Sequence, residues 1–100
     1  MRNYWVYILT NPATTVLYTG MTNDLERRIR EHESGKGEED HFTGKYYCYQ
    51  LVWYEMCFNA RNAISREKQI KRWRRDKKER LINLSNPKWE ILNDKIKGFA

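Results

Sequence analysis

The sequence predicts an α+β fold in which a small three-stranded antiparallel sheet is flanked by helices, in the order β-β-α-β-α-α. Three short runs are rich in aromatic and β-branched residues, as strands are, and only a turn separates the first two. Other segments follow a capping asparagine and continue for helical lengths. A short turn can join two strands only in antiparallel fashion, so the sheet should start as a hairpin.

The hairpin is predicted at the start of the chain. Residues 3–10 (NYWVYILT) form the first strand, and 11–14 (NPAT) form a turn because Asn and Pro favour turn conformations. Residues 15–19 (TVLYT) form the second strand. Gly20 is expected to end it, since a residue without a Cβ can adopt unusual dihedral angles or admit another backbone.

The first helix is predicted to follow the hairpin at once. Asn23 caps it, and Glu26 three residues later completes a capping-box pattern. The helix continues to about residue 34, where Gly35 is a good stop. Residues 35–45 contain three glycines and several acids and are predicted to form a loop.

The remaining elements follow the loop. Residues 46–56 (YYCYQLVWYEM) predict a longer third strand. Asn59 then caps a long helix over 60–82. A short final helix over 87–96 is predicted because Pro87 suits the first helical position.

Length and composition indicate one domain over residues 1–100, with its core over 4–82. There is no run of eighteen apolar residues, so we expect no membrane span. The first residues lack the pattern of a signal peptide, and a cytoplasmic location is expected. Cys48 and Cys57 form no zinc-type pair, and both are expected to be reduced and structural.

Positive charge is concentrated late in the chain. The net charge is +6, and residues 66–80 hold nine of the nineteen Lys and Arg residues against three acids. A dense basic segment predicts phosphate binding, and a solvated helix face is the alternative. The candidate nucleic-acid-binding residues are Arg66, Lys68, Lys71, Arg72, Arg74, Arg75, Lys77 and Lys78.

Polar residues are predicted to lie on the inward faces of two helices. Successive residues are about 100° apart around a helix, so Arg28 and His32 fall on the same side as the apolar Leu25 and Ile29. Inward-facing polar side chains indicate either a functional site or an internal hydrogen-bonded network. A satisfied buried hydrogen bonder is the structural alternative for His32.

Glu67 has a similar position on the long helix. It falls on the face defined by Ala60, Ala63 and Ile64. A carboxylate there is costly unless it is paired or binds a cation. An internal salt bridge with Arg28 is the structural alternative to a metal site.

These residues fit a known pattern. The strand segment Trp5-Val6-Tyr7 is followed by Tyr18-Thr19-Gly20 and then by a helix carrying Arg28 and His32. Residues 65–73 add a helical glutamate. This combination resembles the GIY-YIG nuclease superfamily, and within it the group of small single-domain bacterial proteins regarded as endonucleases. The superfamily includes an excision-repair incision nuclease, so DNA repair is one expected setting.

The sequence departs from the family pattern at a few positions. Trp5 replaces the first glycine of the family pattern and Thr19 replaces its isoleucine. Neither change removes a group that would take part in the chemistry. The loop before the third strand is often basic in relatives but is acidic here at 38–40, which argues against DNA contact by that loop. Some relatives use an asparagine after the glutamate helix, and Asn83 and Asn86 are both candidates.

The resemblance implies specific roles in phosphodiester hydrolysis. Glu67 would bind one Mg²⁺ or Mn²⁺ ion, and Arg28 would contact the scissile phosphate. Tyr7 and Tyr18 would lie side by side, one of them serving or positioning the general base. Which tyrosine does so is left open, and sheet packing is the alternative for both. His32 would bond a tyrosine or the phosphate.

The basic segment would supplement this site. Lys71 lies on the same face as Glu67 and is a candidate for phosphate contact. The other basic residues would hold the backbone without reading sequence. Trp73 could stack on a base, with core packing as the alternative.

Two rival functions stay open at this stage. A non-catalytic nucleic-acid-binding module would keep the basic helix without needing the full site. A protein-interaction adaptor could use the acidic loop and the final helix, with Trp89, Ile91, Leu92 and Ile96, as a docking surface. We expect an enzyme acting on nucleic acid, with DNA preferred, and a partner protein is a possible means of targeting.

Overall fold

A three-stranded antiparallel sheet organises the fold in the computed structural model, which describes residues 3–35 and 42–99. The strands are β1 (Tyr4–Thr10), β2 (Leu17–Thr22) and β3 (Gln50–Cys57), in the spatial order β2-β1-β3. Both neighbouring pairs are antiparallel, and a bulge interrupts the β1–β3 register after Ile8. The predicted α+β class with a three-stranded antiparallel sheet is confirmed.

Helices cover both faces of this sheet. They are α1 (Leu25–Ser34), the single turn α2 (Phe42–Lys45), α3 (Ala60–Lys71) and α4 (Arg75–Ser85), followed by a 3₁₀ turn at Asn93–Lys95. Side chains alternate between the two faces of β1, as the pleat requires. On one face, Trp5, Tyr7 and Leu9 pack against α1 and form the first core cluster. On the other face, Val6 and Ile8 pack against α3 and α4 and form the second core cluster.

The predicted long helix over 60–82 is wrong, because the chain breaks it into α3 and α4. The Arg72 and Trp73 amides donate to the carbonyls three residues earlier, those of Gln69 and Ile70, as in a 3₁₀ turn. Arg74 then has an extended backbone, with ψ of 160°. Trp73 packs against the second core cluster. The break turns α4 back so that Ile82 is also buried on the sheet.

The predicted final helix over 87–96 is also wrong. This segment instead covers part of the open edge of β3. Asn93 accepts a 2.8 Å hydrogen bond from the Leu51 amide, and Asn86 donates one of 3.0 Å to the Val52 carbonyl. The Leu92 amide donates to the Leu51 carbonyl. The segment satisfies edge groups that a regular helix would leave unpaired.

The boundaries of the hairpin and first helix are shifted from their predicted positions. The turn extends further because the Asn11 side chain accepts hydrogen bonds from the Thr15 and Val16 amides. Gly20 therefore lies within β2 rather than ending it. Asp24, not Asn23, caps α1 by accepting from the Arg27 amide.

The third strand also starts later than predicted. Tyr47 has a φ of 57°, which is incompatible with a strand, and β3 begins at Gln50. The predicted loop over 35–45 contains the helical turn α2, and its acidic residues 38–40 lie outside the described residues.

The C-terminal residues pack inward. Ile96 is fully buried in the first cluster, and Phe99 stacks on Trp5 with ring centroids 5.2 Å apart. Trp89 and Leu92 pack against the core as well, and Ile91 alone of the four apolar residues proposed for the adaptor surface is exposed. Within the described residues, these four therefore do not form the predicted docking face; the acidic residues 38–40 lie outside the described residues. Cys48 and Cys57 are buried free thiols, as expected.

The helices in the described part of the chain are all too short or too polar to span a membrane.

Candidate functional site

Tyr7 lies at the centre of the candidate site. It occupies the middle strand, is almost fully buried, and stands directly opposite Gly20 of β2. A Cβ added at Gly20 would lie 2.5 Å from the Tyr7 hydroxyl oxygen and 2.6 Å from its Cζ atom. The phenol thus rests across the glycine. Glycine is required here for the close approach of a side chain, a role that the sequence did not suggest.

Substituting Gly20 with alanine should displace the Tyr7 ring and destabilise the fold. Overpacking of this kind costs about 1–3 kcal/mol. Chemical denaturation would measure the loss. In a Tyr7→Leu background the same substitution should cost much less, because the hydroxyl and Cζ that it meets are gone. An equal cost in both backgrounds would show that Gly20 serves another purpose.

His32 holds the Tyr7 hydroxyl from the first helix. Its Nε2 atom lies 2.9 Å from the Tyr7 oxygen, and its Nδ1 atom lies 3.2 Å from the Thr43 hydroxyl. Burial, followed by the positive charge of Arg28, lowers the pKa of His32 from 6.5 to about 4. The imidazole is therefore neutral near pH 7. If Nδ1–H donates to Thr43, Nε2 is free to accept the Tyr7 proton.

The depressed pKa of His32 has a consequence for stability. Below pH 6.5 an unfolded chain binds a proton at His32 that the folded chain refuses until about pH 4. The His32 contribution to stability is thus complete above pH 6.5 and is lost as pH falls toward 4. We expect His32→Gln to show a smaller loss of unfolding free energy across this window than the wild type. Denaturation curves of both proteins at a series of pH values from pH 7 to pH 4 would measure this loss. The same dependence of unfolding free energy on pH in both proteins would contradict the prediction.

Arg28 approaches the same hydroxyl from one turn earlier in α1. Its Nη1 atom pairs with Glu31 at 2.9 Å, and the guanidinium is close enough to Tyr7 for each group to shift the pKa of the other. Burial raises the pKa of Tyr7 from 10.0 to about 12, and Arg28 opposes that shift. Burial would lower the pKa of Arg28, but its interactions with Glu31 and Tyr7 produce a net rise. The Arg28 side chain is 42% exposed and so can reach a ligand.

Tyr18 completes an aromatic cluster. Its ring centroid lies 6.5 Å from that of Tyr7 and 5.8 Å from that of His32. It is half-buried on β2, next to Gly20. The structure therefore places the two tyrosines side by side with the histidine, as the resemblance implies.

Glu67 of α3 lies within electrostatic range of this cluster. Its carboxylate is close enough to Tyr7 to act on the pKa of the phenol. The side chain is only 18% exposed, and Lys71 pairs with it at 3.5 Å. Arg28 pairs with Glu31 instead, so the alternative of an Arg28–Glu67 salt bridge is not formed in the described structure. Ala63 of the predicted face is buried, whereas Ile64 is exposed.

The donor set suits a hard, hydrated cation. No group of three or more His, Cys, Asp or Glu residues is gathered within the described ranges 3–35 and 42–99. Zinc sites need three or four such ligands. Mg²⁺ keeps several waters and accepts one or two carboxylates, so the single, mostly buried Glu67 carboxylate fits it.

The basic residues separate into two groups. Several are engaged in the structure: Arg66 pairs with Glu55, Arg74 with Asp76, and Arg75 donates to the Thr14 and Thr15 carbonyls. Lys68, Arg72 and Lys78 make no ion pair within the described part of the chain.

Trp73 is half-buried and its ring already has partners. Arg66 lies 5.4 Å from its ring centroid and Lys77 lies 4.5 Å from it. The ring also packs against the second core cluster. The core-packing alternative therefore describes Trp73.

Three further residues concern the site: Thr43, which contacts it, and the two asparagines that were candidates for it. Thr43 orients His32, and nothing in its sequence neighbourhood signals that contact. Asn86 is buried and bonded to backbone carbonyls, and Asn83 accepts from the Trp89 indole at 2.6 Å. Both asparagines have structural partners.

Taken together, the fold and this cluster define a class of small α+β domain in which tyrosine, arginine, histidine and glutamate side chains converge at a sheet. The family model of the GIY-YIG catalytic domain matches residues 3–80. A UPF0213 protein from Haloquadratum walsbyi is 42% identical over 82 residues, covering 81% of this chain and 89% of the relative. One from Clostridium perfringens is 41% identical over 92 residues, covering 92% and 96%.

A solved structure agrees. The solution NMR structure of a UPF0213 protein from Bacillus halodurans matches with a TM-score of 0.56 and 31% identity, covering 98% of this chain and 99% of the other. The chain therefore belongs to the GIY-YIG domain family, a nuclease family, and groups within it with the UPF0213 proteins. The names of those relatives assign them no activity.

Proposed function

We propose that this protein is a metal-dependent endonuclease that hydrolyses phosphodiester bonds in nucleic acid, with DNA as its substrate. One observation carries the proposal: the buried Tyr7 hydroxyl is hydrogen-bonded to His32, and both Arg28 and Glu67 are close enough to act on its pKa. A buried phenol with a hydrogen-bond acceptor, a cation and a carboxylate near it has a perturbed pKa, which is typical of groups that transfer protons in active sites.

Tyr7 is assigned to the proton-transfer step. With a pKa of about 12, only about one molecule in 10⁵ carries the phenolate at pH 7. Arg28 favours that phenolate, which can take a proton from the attacking water, and the hydrogen bond to His32 holds the Tyr7 oxygen in position. We assign Tyr18, which has the more exposed ring, to positioning the water.

Arg28 is also assigned to the scissile phosphate. A guanidinium has five N–H donors, and its planar fork matches two phosphate oxygens. The Glu31 and Tyr7 contacts leave further donors available. Arg28 would thus join the phosphate to the tyrosine that activates the water.

Glu67 is assigned to a single divalent cation, Mg²⁺ or Mn²⁺. Such an ion stabilises charge on the phosphate and assists the leaving oxygen. The low exposure of Glu67 and its weak, replaceable partner Lys71 support the assignment.

The basic residues around α3 and α4 are assigned to the nucleic-acid backbone. The unpaired Lys68, Arg72 and Lys78 offer charge for phosphates, and contacts of this kind position the duplex without specifying sequence. Arg66 and Arg75 are already held by protein partners and should contribute less. Binding should weaken steeply as salt increases.

A panel of labelled substrates tests the proposed function. Purified protein would be incubated with single-stranded, duplex and branched DNA and with RNA, in Mg²⁺ or Mn²⁺, with EDTA as the control. We expect cleavage of DNA that EDTA abolishes. Salt-sensitive binding without cleavage of any substrate would identify a non-catalytic binding module instead.

A further inference from the structure

The candidate metal carboxylate already has a positive partner. The Lys71 ammonium lies 3.5 Å from Glu67, one helical turn away on α3. The two side chains differ in exposure, at 49% for Lys71 and 18% for Glu67. The carboxylate is therefore held in place while its partner is free to leave on a long flexible stem.

A second lysine lies beside this pair. Lys78 of α4 is half-buried and lies within electrostatic range of both Lys71 and Arg75. Burial, and then the positive charges of these two neighbours, lowers the pKa of Lys78. No acid in the described structure pairs with it. Arg75 cannot move to relieve the repulsion, because its guanidinium is bonded to the Thr14 and Thr15 carbonyls and to Glu79.

This arrangement gathers more positive than negative charge next to Glu67. Glu67 balances Lys71 and Glu79 balances Arg75, which leaves Lys78 without compensation. A divalent cation at Glu67 would increase the imbalance and repel Lys71. A backbone phosphate is the ligand that these two ammonium groups, which lie within electrostatic range of each other, would then accept.

We propose that Lys71 is an exchangeable counter-ion that neutralises Glu67 in the metal-free protein and, when a divalent cation takes the carboxylate, turns with Lys78 to bind a non-scissile phosphate. The inference rests on the proposed function, because it takes Glu67 to be the metal ligand. It makes metal binding and nucleic-acid binding mutually reinforcing, and such coupling is reciprocal.

The exchange predicts opposite effects of one substitution. Lys71→Met removes a competitor of the metal, so Mn²⁺ should bind more tightly without nucleic acid. The gain should be about two- to fivefold, the strength of a partly exposed ion pair. The same variant should bind DNA more weakly in the presence of metal, because it lacks the released ammonium.

Two binding measurements test this on the full chain. Calorimetric titration with Mn²⁺ would compare the wild type with Lys71→Met, Lys68→Met and Glu67→Gln. Lys68→Met is the matched control, since Lys68 lies on the same helix and makes no ion pair in the described structure. Fluorescence anisotropy of a labelled duplex, with and without Ca²⁺, would give the ratio by which the cation tightens DNA binding. A gel would confirm that the duplex stays intact.

The expected result has two parts. Lys71→Met binds Mn²⁺ more tightly than Lys68→Met does. In addition, Ca²⁺ tightens the DNA binding of Lys71→Met by a smaller ratio than it tightens that of Lys68→Met. If either part is absent while Glu67→Gln loses Mn²⁺ binding, the role of Lys71 is overturned and the metal assignment stands. If Glu67→Gln binds Mn²⁺ as the wild type does, the metal assignment of the proposed function itself fails.

Discussion

Replacing Glu67 with glutamine should reduce metal-dependent cleavage by about 10³-fold or more. The amide keeps the volume of the side chain but loses the negative charge that holds the cation. A cation supplies several kcal/mol of transition-state stabilisation, and each 1.36 kcal/mol is a factor of about ten in rate. Single-turnover cleavage of labelled duplex DNA would measure the loss.

The control for this variant is Glu90→Gln. Glu90 is an exposed carboxylate paired with Lys95, away from the Tyr7 cluster, and its removal should leave the cleavage rate unchanged. Thermal unfolding should show that both variants are folded. Full activity in Glu67→Gln would mean that the cation is held elsewhere or that a contaminant cuts the substrate.

Replacing Tyr7 with phenylalanine should reduce the cleavage rate by about 10²- to 10⁴-fold, the usual contribution of a general acid or base. The ring that fills the space over Gly20 remains, so the sheet should keep its packing. What is lost is the hydroxyl that bonds to His32 and whose pKa Arg28 lowers. The rate constant under saturating DNA should fall, with DNA affinity nearly unchanged.

Two other tyrosines provide the comparison. Tyr4→Phe alters a tyrosine that packs against the opposite core cluster and should not change the rate. Tyr18→Phe should cost less than Tyr7→Phe if Tyr18 only positions the water. A larger loss in Tyr18→Phe would reverse the two assignments.

The sheet could be predicted from the sequence because its strands are short runs of aromatic and β-branched residues next to clear turn signals. The division of 60–82 into α3 and α4 could not. No Gly or Pro marks the break. It arises because Ile82 is buried on the sheet and the half-buried Trp73 packs against the same core cluster. The segment after Asn86 likewise gives up helical bonds to cover the edge of β3, a tertiary effect that periodicity does not record.

The candidate site was more accessible to sequence reasoning than the C-terminal fold. Arg28 and His32 occupy an inward helix face, and helical geometry alone predicts that they lie together. Their meeting with Tyr7 depends on β1 packing against α1, which the family resemblance implied and the periodicity did not. For Gly20 the sequence predicts a strand end or the close approach of another backbone, but not the cross-strand contact with a phenol, which depends on the pairing register. Thr43 follows a weakly patterned loop and carried no signal.

The most direct test of the account is the location of a bound cation. Crystals of the wild-type protein grown with millimolar Mn²⁺ would be examined for anomalous scattering at the manganese edge. We expect a single peak about 2.1 Å from a Glu67 carboxylate oxygen, the distance typical of hard divalent ions, on the side facing the Tyr7 hydroxyl and with Lys71 turned away. A peak at another carboxylate, with Lys71 still paired to Glu67, would contradict the proposed site.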